Sequence, residues 1–345
     1  MEKKERKPVY YSEYLQLDKI LNAQQPESGK EGIRADDEML FIIIHQAYEL
    51  WFKQVLHELN IIRSIFKQAN IPNNSPDVYN SVHRMKRVCR ILEIGVGQLG
   101  IIETMTPLDF LDFRDLLRPA SGFQSIQFKM IEASLGLQFA KRHGQNYYLS
   151  QLTPDDVERV KKAEAEESLL VLINRWLERM PFIKGGSYWK EMNSDKPFWQ
   201  QYRAAYENSL QDVEKANLNT FDMLLMNDAD YPTDRGFSAD ANRNALFIML
   251  YRDHPLLHLP YELLSTLLEI DELLSLWRHR HIHMVQRTIG KRVGTGGSSG
   301  AEYLRNAADS HYVFKELAEL TSFLLPRHML PQLPPDLIRD LSYTH

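Results

Sequence analysis

The stretch Leu274–Thr288, LSLWRHRHIHMVQRT, carries three histidines at a spacing of two residues, and its secondary structure decides the interpretation of the chain. In a β-strand, the rings of His279, His281 and His283 would project from one face and could share a zinc or non-haem iron ion. In an α-helix, at about 100° per residue, His281 projects almost opposite to the other two. Strand and helix therefore imply different chemistry.

The residues around His281 favour the helix. Five mostly apolar residues lie within about 60° of it on a helix of 3.6-residue period. They are Leu274, Trp277, Met284, Val285 and Thr288. A lone histidine on such a wall is either a core side chain bonded to a backbone carbonyl or a single axial ligand to haem iron, whereas zinc needs three or four ligands. Both of the first two interpretations remain open at this point.

Helical spacing of apolar residues continues along most of the chain, without the short Val/Thr-rich segments and Asn-Gly turns that mark β-proteins. The sequence therefore predicts an all-α protein with a helical bundle core. The predicted helices are 10–25, 37–69, 76–103, 107–117, 122–143, 154–180, 196–224, 240–252, 258–290 and 301–324. Thr106-Pro107 and Thr153-Pro154 each place a capping hydroxyl before a proline at the first helical position.

The 345 residues are interpreted as a single domain, 1–345, with a helical insert or lid at 145–239. The amino-acid composition of this insert differs from that of the rest of the chain. It contains the charged run Asp155–Glu167, the turn Gly185–Ser187 and a stretch rich in Asn, Asp and Pro at 227–235. A charged run of this kind is typical of a solvated helix face.

The composition of the chain excludes several classes of protein. A formal net charge of -5 argues against nucleic acid as the main partner. The single cysteine, Cys89, excludes an intrachain disulfide framework and a site of several thiolates, which fits a reducing compartment. The charged first residues are followed by no apolar signal region, and no apolar run approaches the roughly 20 residues needed to cross a bilayer. We therefore expect a cytoplasmic protein without a membrane segment.

A second histidine lies in the apolar segment Asp36–Gln54. His45 shares a helix face with Phe41, Tyr48 and Phe52. A histidine among aromatic rings could accept a hydrogen bond from a buried N–H of a flat ligand, although core packing is the commoner reason for such a pattern.

An arginine follows another aromatic residue by one helical turn. Phe110 and Arg114 could together hold a ligand, the guanidinium binding a carboxylate while the ring packs on the ligand body, although a salt bridge within the chain would also explain the arginine. The loop Gly294–Gly300, which contains Thr295, lacks the lysine and the preceding strand of a phosphate-binding loop. Its hydroxyls and backbone N–H groups could close over a small polar ligand, or it could be a plain linker.

Several long strings resemble the tryptophan 2,3-dioxygenase family. They are YSEYLQLDKILNAQ (Tyr11–Gln24), LFIIIHQAYELWFKQ (Leu40–Gln54), ETMTPLDFLDFR (Glu103–Arg114), PASGFQSIQF (Pro119–Phe128) and GTGGSSG (Gly294–Gly300), together with most of 245–330. The resemblance implies the family's helical fold, haem b as cofactor and O2 as co-substrate. It implies insertion of both oxygen atoms across the indole C2–C3 bond of L-tryptophan, giving N-formyl-L-kynurenine, the first step of tryptophan catabolism by the kynurenine pathway.

The resemblance also implies roles for individual residues. His281 would be the proximal ligand of the haem iron, beside Trp277, and His45 would be the catalytic distal histidine that receives the indole N–H. Arg114 would bind the substrate carboxylate, and Thr295 the amino-acid end. The remaining implied contacts are Phe41 and Phe110 as walls of the indole pocket, Ser121 near haem and substrate, and Tyr11 and Tyr14 on an N-terminal helix that reaches a neighbouring subunit's site in a homotetramer.

Two features set this chain apart from the resemblance. Where the family commonly reads Trp-Arg-Tyr-Asn-His, this chain has His279 and Arg280, which place extra basic groups beside the proximal helix. The stretch 145–239 matches poorly, so no functional residue is inferred from it. Three other functions compete: a related haem enzyme that monooxygenates an aromatic amino acid, a non-haem metal enzyme built on the histidines at 279–283, and a catalytically silent haem-binding or oxygen-sensing scaffold.

Overall fold

A computed structural model describes residues 8–68, 75–137, 152–183, 188–189, 197–290, 292, 304–305, 308 and 311–342. Within these ranges the chain is helical and contains no β-strand, which confirms the all-α prediction. The α-helices are α1 Tyr11–Leu15, α2 Leu17–Leu21, α3 Glu27–Lys30, α4 Asp37–Phe66, α5 Pro76–Ile102, α6 Pro107–Arg114, α7 Ile126–Leu135, α8 Pro154–Ala165, α9 Leu169–Glu178, α10 Pro197–Ser209, α11 Asn217–Phe221, α12 Ala239–Leu250, α13 Pro255–Ile289, α14 Lys315–Glu319 and α15 Pro335–Asp340.

The three long helices form the frame of the molecule. α5 packs against both α4 and α13, and α7 packs on α4. Apolar side chains fill the space between these helices, among them Val55, Val88 and Leu267, which are fully buried or nearly so. Cys89 lies in this core as a buried free thiol, and burial raises its pKa to about 12. The thiol is therefore a small core side chain.

The two helix starts predicted from Thr-Pro pairs are confirmed. Thr106 Oγ1 accepts a hydrogen bond from the backbone N–H of Asp109, whose carboxylate in turn accepts from Thr106 N, so α6 begins with a reciprocal capping box. Thr153 caps α8 through Asp156 N in the same manner. Because α6 carries Phe110 and Arg114, its capped start fixes where both side chains leave the helix.

Several predicted helix boundaries are wrong. The predicted helix 10–25 is broken at Gln16, which has a left-handed φ of 53°. The predicted helix 154–180 is two helices, because Ser168 caps the N-terminus of α9. The predicted helix 301–324 falls partly outside the described residues, and within them α14 starts only at Lys315.

The predicted helix 122–143 also divides, and its described α-helical part ends at Leu135. Gly136 terminates α7 with a φ of 138°, and a Cβ at this position would lie 2.7 Å from the Leu170 Cβ. Glycine therefore allows both the turn and the close approach of α9.

The described parts of the predicted insert, 145–239, contribute to the same apolar core as the long helices. α9 packs on α12 and α4, and the indole of Trp176 contacts the ring of Phe66 at 5.8 Å. Arg203 binds Asp222 through two hydrogen bonds, of 2.6 and 2.7 Å, which join α10 to the segment after α11. In the described part of the chain, none of the helices combines the length and apolar character that a membrane crossing requires.

Candidate functional site

His281 lies near the C-terminal end of α13, where the imidazole stacks on the indole of Trp277 with ring centroids 5.0 Å apart and planes 7° apart. The residue is half-buried. Its Nδ1 atom is buried and makes no hydrogen bond within the part of the chain that the structure describes. Burial, with a smaller contribution from His45, lowers the pKa of His281 to about 4. The ring is therefore neutral at pH 7, which is the form that binds a metal.

The neighbouring histidines point elsewhere. His279 and His283 are exposed, and the His279 ring N–H donates to the carbonyl of Ser275, 2.9 Å away. Across the described ranges, no three His, Cys, Asp or Glu side chains are grouped so that they could hold a metal ion. The strand interpretation of 279–283, and the shared-metal site that depended on it, are wrong because this stretch is helical.

A buried ion network holds the helix that carries His281. Arg278 donates to Glu132 Oε1 of α7 over 2.7 Å and to the carbonyl of His311 over 3.0 Å. The His311 ring lies 3.4 Å from the same carboxylate oxygen. One helical turn before His281, α13 is thus fixed both to α7 and to the segment that precedes α14.

His45 lies on α4, and its ring is exposed although the surrounding protein lowers its pKa. Desolvation is the main cause of this shift, while Glu49 acts in the opposite direction. The helices of the two histidines meet close by, since the ring of Tyr48, one turn after His45, contacts the ring of Trp277, one turn before His281, with centroids 6.1 Å apart.

The tautomer of His45 follows from its hydrogen bond. Its Nδ1 lies 2.7 Å from the carbonyl oxygen of Phe41, one turn earlier in α4. A carbonyl can only accept, so Nδ1 carries the proton and Nε2 of the neutral ring is an acceptor. His45 therefore presents a hydrogen-bond acceptor to any ligand that binds beside it.

Aromatic rings from α4 and α6 form a group that contacts His45 through Phe41. The Phe41 ring lies 4.1 Å from the His45 ring and 5.7 Å from the ring of Phe110. Phe113 completes the group, at 5.6 Å from Phe41 and 5.4 Å from Phe110. Two of the side chains predicted to wall a flat ligand, Phe41 and Phe110, are thus in contact, and Phe113 was not predicted.

Arg114 ends α6 one turn after Phe110 and is 5% exposed. Its Nη1 lies 3.9 Å from Oδ1 of Asp115, an exposed carboxylate that also pairs with Arg118 at 3.3 Å. The position of Arg114 places a buried positive charge at the edge of the aromatic group.

Ser121 lies in the loop between α6 and α7, where it caps a short 3-10 helix, Gly122–Gln124. The end of this loop is bound to α4. The Ser125 hydroxyl donates to Glu49 Oε1 over 2.6 Å, and the Gln127 amide donates to Glu49 Oε2 over 2.8 Å. The loop of Ser121 and the turn after His45 are therefore joined through one carboxylate.

Two of the predicted site residues lie exposed on the N-terminal helix α1. Tyr11 and Tyr14 are each 75% exposed, and no residue of α1 or α2 is buried. Thr295 lies outside the described residues. The N-terminal helices thus leave their apolar side chains uncovered within a single chain.

Some contacts of the site were not predicted from the sequence. Phe128 packs on Trp277 at 5.1 Å, and Glu49 ties the Ser121 loop to α4. The string PASGFQSIQF contains Phe128, but no local pattern pairs this residue with α13, which lies about 150 residues later. Contacts between distant segments of this kind carry no periodic signal.

The described residues fit a haem group. A neutral imidazole with an unpaired buried Nδ1 and a stacked indole beside it offer one nitrogen ligand and a flat apolar neighbour. A single-histidine site suits haem iron and does not suit zinc.

Comparison with known proteins gives consistent matches. The family model described as tryptophan 2,3-dioxygenase matches residues 1–324. A protein from Alteromonas mediterranea named tryptophan 2,3-dioxygenase is 41% identical, with 99% of both chains covered. Proteins of the same name from Dictyostelium discoideum and Xenopus laevis are 43% and 39% identical, covering 95% and 97% of this chain and 87% of their own lengths.

Proposed function

This chain belongs to the tryptophan 2,3-dioxygenase family, and from that membership we propose that it inserts both atoms of O2 across the indole C2–C3 bond of L-tryptophan to give N-formyl-L-kynurenine. This reaction is the first step of the kynurenine pathway. Haem b, when bound, supplies the iron that activates dioxygen. The observation that carries the proposal is the imidazole of His281, which stacks on Trp277 and whose buried Nδ1 makes no hydrogen bond among the described residues.

His281 would hold the iron through its neutral ring, and Trp277 would fix the plane of that ring by stacking on it at 5.0 Å. Ser121 would border both cofactor and substrate from the loop tied to Glu49. Phe41 and Phe110 would keep apolar rings against the substrate.

Substrate orientation would come from five side chains. The Nε2 atom of His45 accepts the indole N–H, because Nδ1 is occupied by the Phe41 carbonyl. Phe41 and Phe110 bracket the indole ring. Arg114, buried beside them, binds the carboxylate, and Thr295 contacts the amino-acid end.

Spectroscopy and product analysis test the reaction. The reduced, haem-loaded protein is mixed with L-tryptophan in air while absorbance is followed through the Soret region and the formylkynurenine band. We expect a Soret band and a product that has gained two oxygen atoms. Gain of one oxygen atom would indicate a monooxygenase, a protein without a Soret band would indicate a non-haem function, and unchanged tryptophan would indicate a silent haem-binding scaffold.

The neutral form of His45 sets the expected pH dependence. Desolvation lowers the pKa of His45, so at pH 7 and above Nε2 remains an acceptor. Protonation turns Nε2 into a donor, so kcat/KM should be level at neutral pH and fall as the pH drops below the usual histidine range. His45→Ala should lower kcat/KM by about threefold to tenfold while haem is retained, and its profile should lack the acid fall due to His45. An acid fall identical in both proteins would assign the titration to another group.

Exposed apolar side chains support a homotetramer. Ile94 and Ile101 lie seven residues apart on one face of α5 and are 48% and 52% exposed. Tyr11 and Tyr14 stand exposed on α1. Contiguous exposed apolar residues mark association surfaces, and we propose that the N-terminal helix of one subunit contributes to a neighbouring subunit's site.

The association surface can be tested by mass. The double variant Ile94→Asp, Ile101→Asp should lower the mass measured by light scattering from that of a tetramer to that of smaller species, because a buried charge opposes association. Val213→Asp is the control, since Val213 is 87% exposed on a short 3-10 helix. A monomeric unmodified protein, or a tetramer unaffected by the double variant, would contradict the proposal.

We further propose that residues 1–345 form one domain in which 145–239 is an insert, and that the protein acts in the cytoplasm. The shared core of α9, α12 and α4 supports the first statement. The buried free thiol of Cys89 is consistent with the second.

A further inference from the structure

The last turns of α5 and its C-cap residue, together Gly95–Glu103, lie between the helices that carry the two histidines. α5 packs against both α4 and α13. The stretch reads GVGQLGIIE and contains three glycines. It makes polar contacts to both neighbours.

Two contacts bind this stretch to α4 on either side of His45. The Gln98 amide, which is 9% exposed, donates to the carbonyl of Ile44 over 3.3 Å. The Tyr48 hydroxyl, also buried, donates to the carbonyl of Gly95 over 2.7 Å. The turn of α4 that presents His45 is thereby fixed on α5.

Two further contacts bind the same stretch to α13 at the residue before His281. Arg280 Nη1 donates to the carbonyl of Val96 over 3.0 Å, and its Nη2 lies 3.4 Å from Oε2 of Glu103. A Cβ at Gly100 would lie 3.2 Å from this Nη2, so the absence of a side chain at Gly100 leaves room for the guanidinium. The basic residue that distinguishes the proximal helix of this chain is therefore directed at α5.

Adjacent residues of a helix share one rigid turn. A displacement of the backbone at residue 280 carries the imidazole of His281 with it, and the same holds for Ile44 and His45. The turn of His45 is bonded to the Gly95 carbonyl and to the Gln98 side chain. The turn of His281 is bonded to the next carbonyl, that of Val96, and to the Glu103 side chain. One short segment of α5 is thus bonded to the turns of both histidines.

We propose that Gln98 and Arg280 are positioning residues which fix the turns of His45 and His281 on the common α5 segment Gly95–Glu103 and so set the gap between distal and proximal imidazoles. The proposal rests on the proposed roles of the two histidines. Apolar packing alone would tolerate sliding along a helix, whereas a hydrogen bond to a single carbonyl fixes register. Arg280 makes two such contacts from one planar group, which lysine cannot reproduce.

The test compares four variants of the full chain. Arg280→Met removes both contacts and keeps an unbranched side chain of similar length, Gln98→Leu removes the bond to Ile44, and Arg287→Met is the control. Arg287 lies two turns after Arg280 on the same face of α13 and is exposed. Arg280→Lys is included because it keeps the charge but not the two-point contact.

The first readout is amide hydrogen exchange of the haem-free chain, which does not depend on the proposed function. Arg280→Met should speed exchange in 276–284 by about threefold to tenfold, Gln98→Leu should do so in 43–49, and Arg287→Met should change neither. Arg280→Lys should give an intermediate effect at 276–284. Unchanged local exchange in correctly folded Arg280→Met and Gln98→Leu would overturn the proposal.

The second readout is the iron–imidazole stretching band of the ferrous, haem-loaded protein. Arg280→Met should shift or broaden the band, while Gln98→Leu should leave it in place and raise the KM for tryptophan. Bands identical in all four variants would refute a positioning role at the iron. If the chain binds no haem but shows the expected exchange changes, the proposed function is refuted. The conclusion that the α5 segment fixes both turns then still stands.

Discussion

Replacing His281 with alanine is expected to abolish stable haem binding while leaving the helical fold intact. The imidazole is neutral at pH 7 because burial lowers its pKa to about 4. Of the three histidines at 279, 281 and 283, only His281 is not exposed. Residues that only orient a metal ligand typically change metal affinity by about tenfold to a hundredfold, so loss of the ligand itself should weaken haem affinity by at least roughly a hundredfold.

The control variants lie on the same helix. His279→Ala and His283→Ala remove exposed rings from the other side of α13 and should retain the Soret band at full intensity. Added imidazole should partly restore haem binding to His281→Ala, since it can enter the space that the ring leaves. Haem titration followed at the Soret band, together with circular dichroism, measures both effects. A full Soret band in His281→Ala, or its loss in His279→Ala, would contradict the assignment.

The sequence predicted the long helices well because their signal is local. α4, α5 and α13 each repeat apolar residues at helical spacing over many turns, and α5 and α13 each begin at a proline. The same periodicity separated His281 from its two neighbours. The direction of the His281 side chain could therefore be predicted from the residues around it alone.

Breaks between helices were predicted less well, because they depend on tertiary contacts. The division of 154–180 into α8 and α9 occurs where Ser168 caps a helix whose Leu170 packs on Gly136. The sequence contains the capping serine, but the charged run before it continues a plausible helical pattern. Tertiary contacts hold the chain where it turns: α7 approaches at Gly136, and Arg63 of α4 binds Glu166 and the carbonyl of Glu167.

The composition of the site was predictable only in part. His45 and Phe41 belong to one helical face, and Phe110 and Arg114 to another, so each pair follows from spacing. The contact between the two pairs, through the Phe41 and Phe110 rings, joins segments about 70 residues apart and came only from the family resemblance. The hydrogen bonds made by Glu49, Gln98 and Arg280 follow from no local sequence pattern, and the family resemblance did not imply them.

Replacing Arg114 with alanine is expected to raise the KM for L-tryptophan by more than about tenfold. Arg114 is 5% exposed and ends the helix that carries Phe110, so a carboxylate bound there would be largely removed from water. Truncating one partner of a buried charged pair typically costs about 2–5 kcal/mol, and each 1.4 kcal/mol is about tenfold in affinity. Haem content should be unaffected, because Arg114 lies on α6 and the proposed iron ligand on α13.

Arg118→Ala is the matched control for Arg114→Ala. Arg118 pairs with the same Asp115, at 3.3 Å, but its side chain is 56% exposed, so its loss should change KM little. Arg114→Lys should give an intermediate KM, because lysine keeps the charge but loses the bidentate geometry.

Tryptamine, which lacks the carboxylate, separates recognition from structural damage. The unmodified protein should prefer L-tryptophan strongly over tryptamine, whereas Arg114→Ala should lose most of that preference even if its overall activity falls. A mutation that merely disturbed the fold would lower turnover of both compounds and leave their ratio unchanged. An unaltered KM, or an unaltered preference in a folded haem-loaded Arg114→Ala protein, would remove Arg114 from the substrate site and leave the buried guanidinium as part of the scaffold around Asp115.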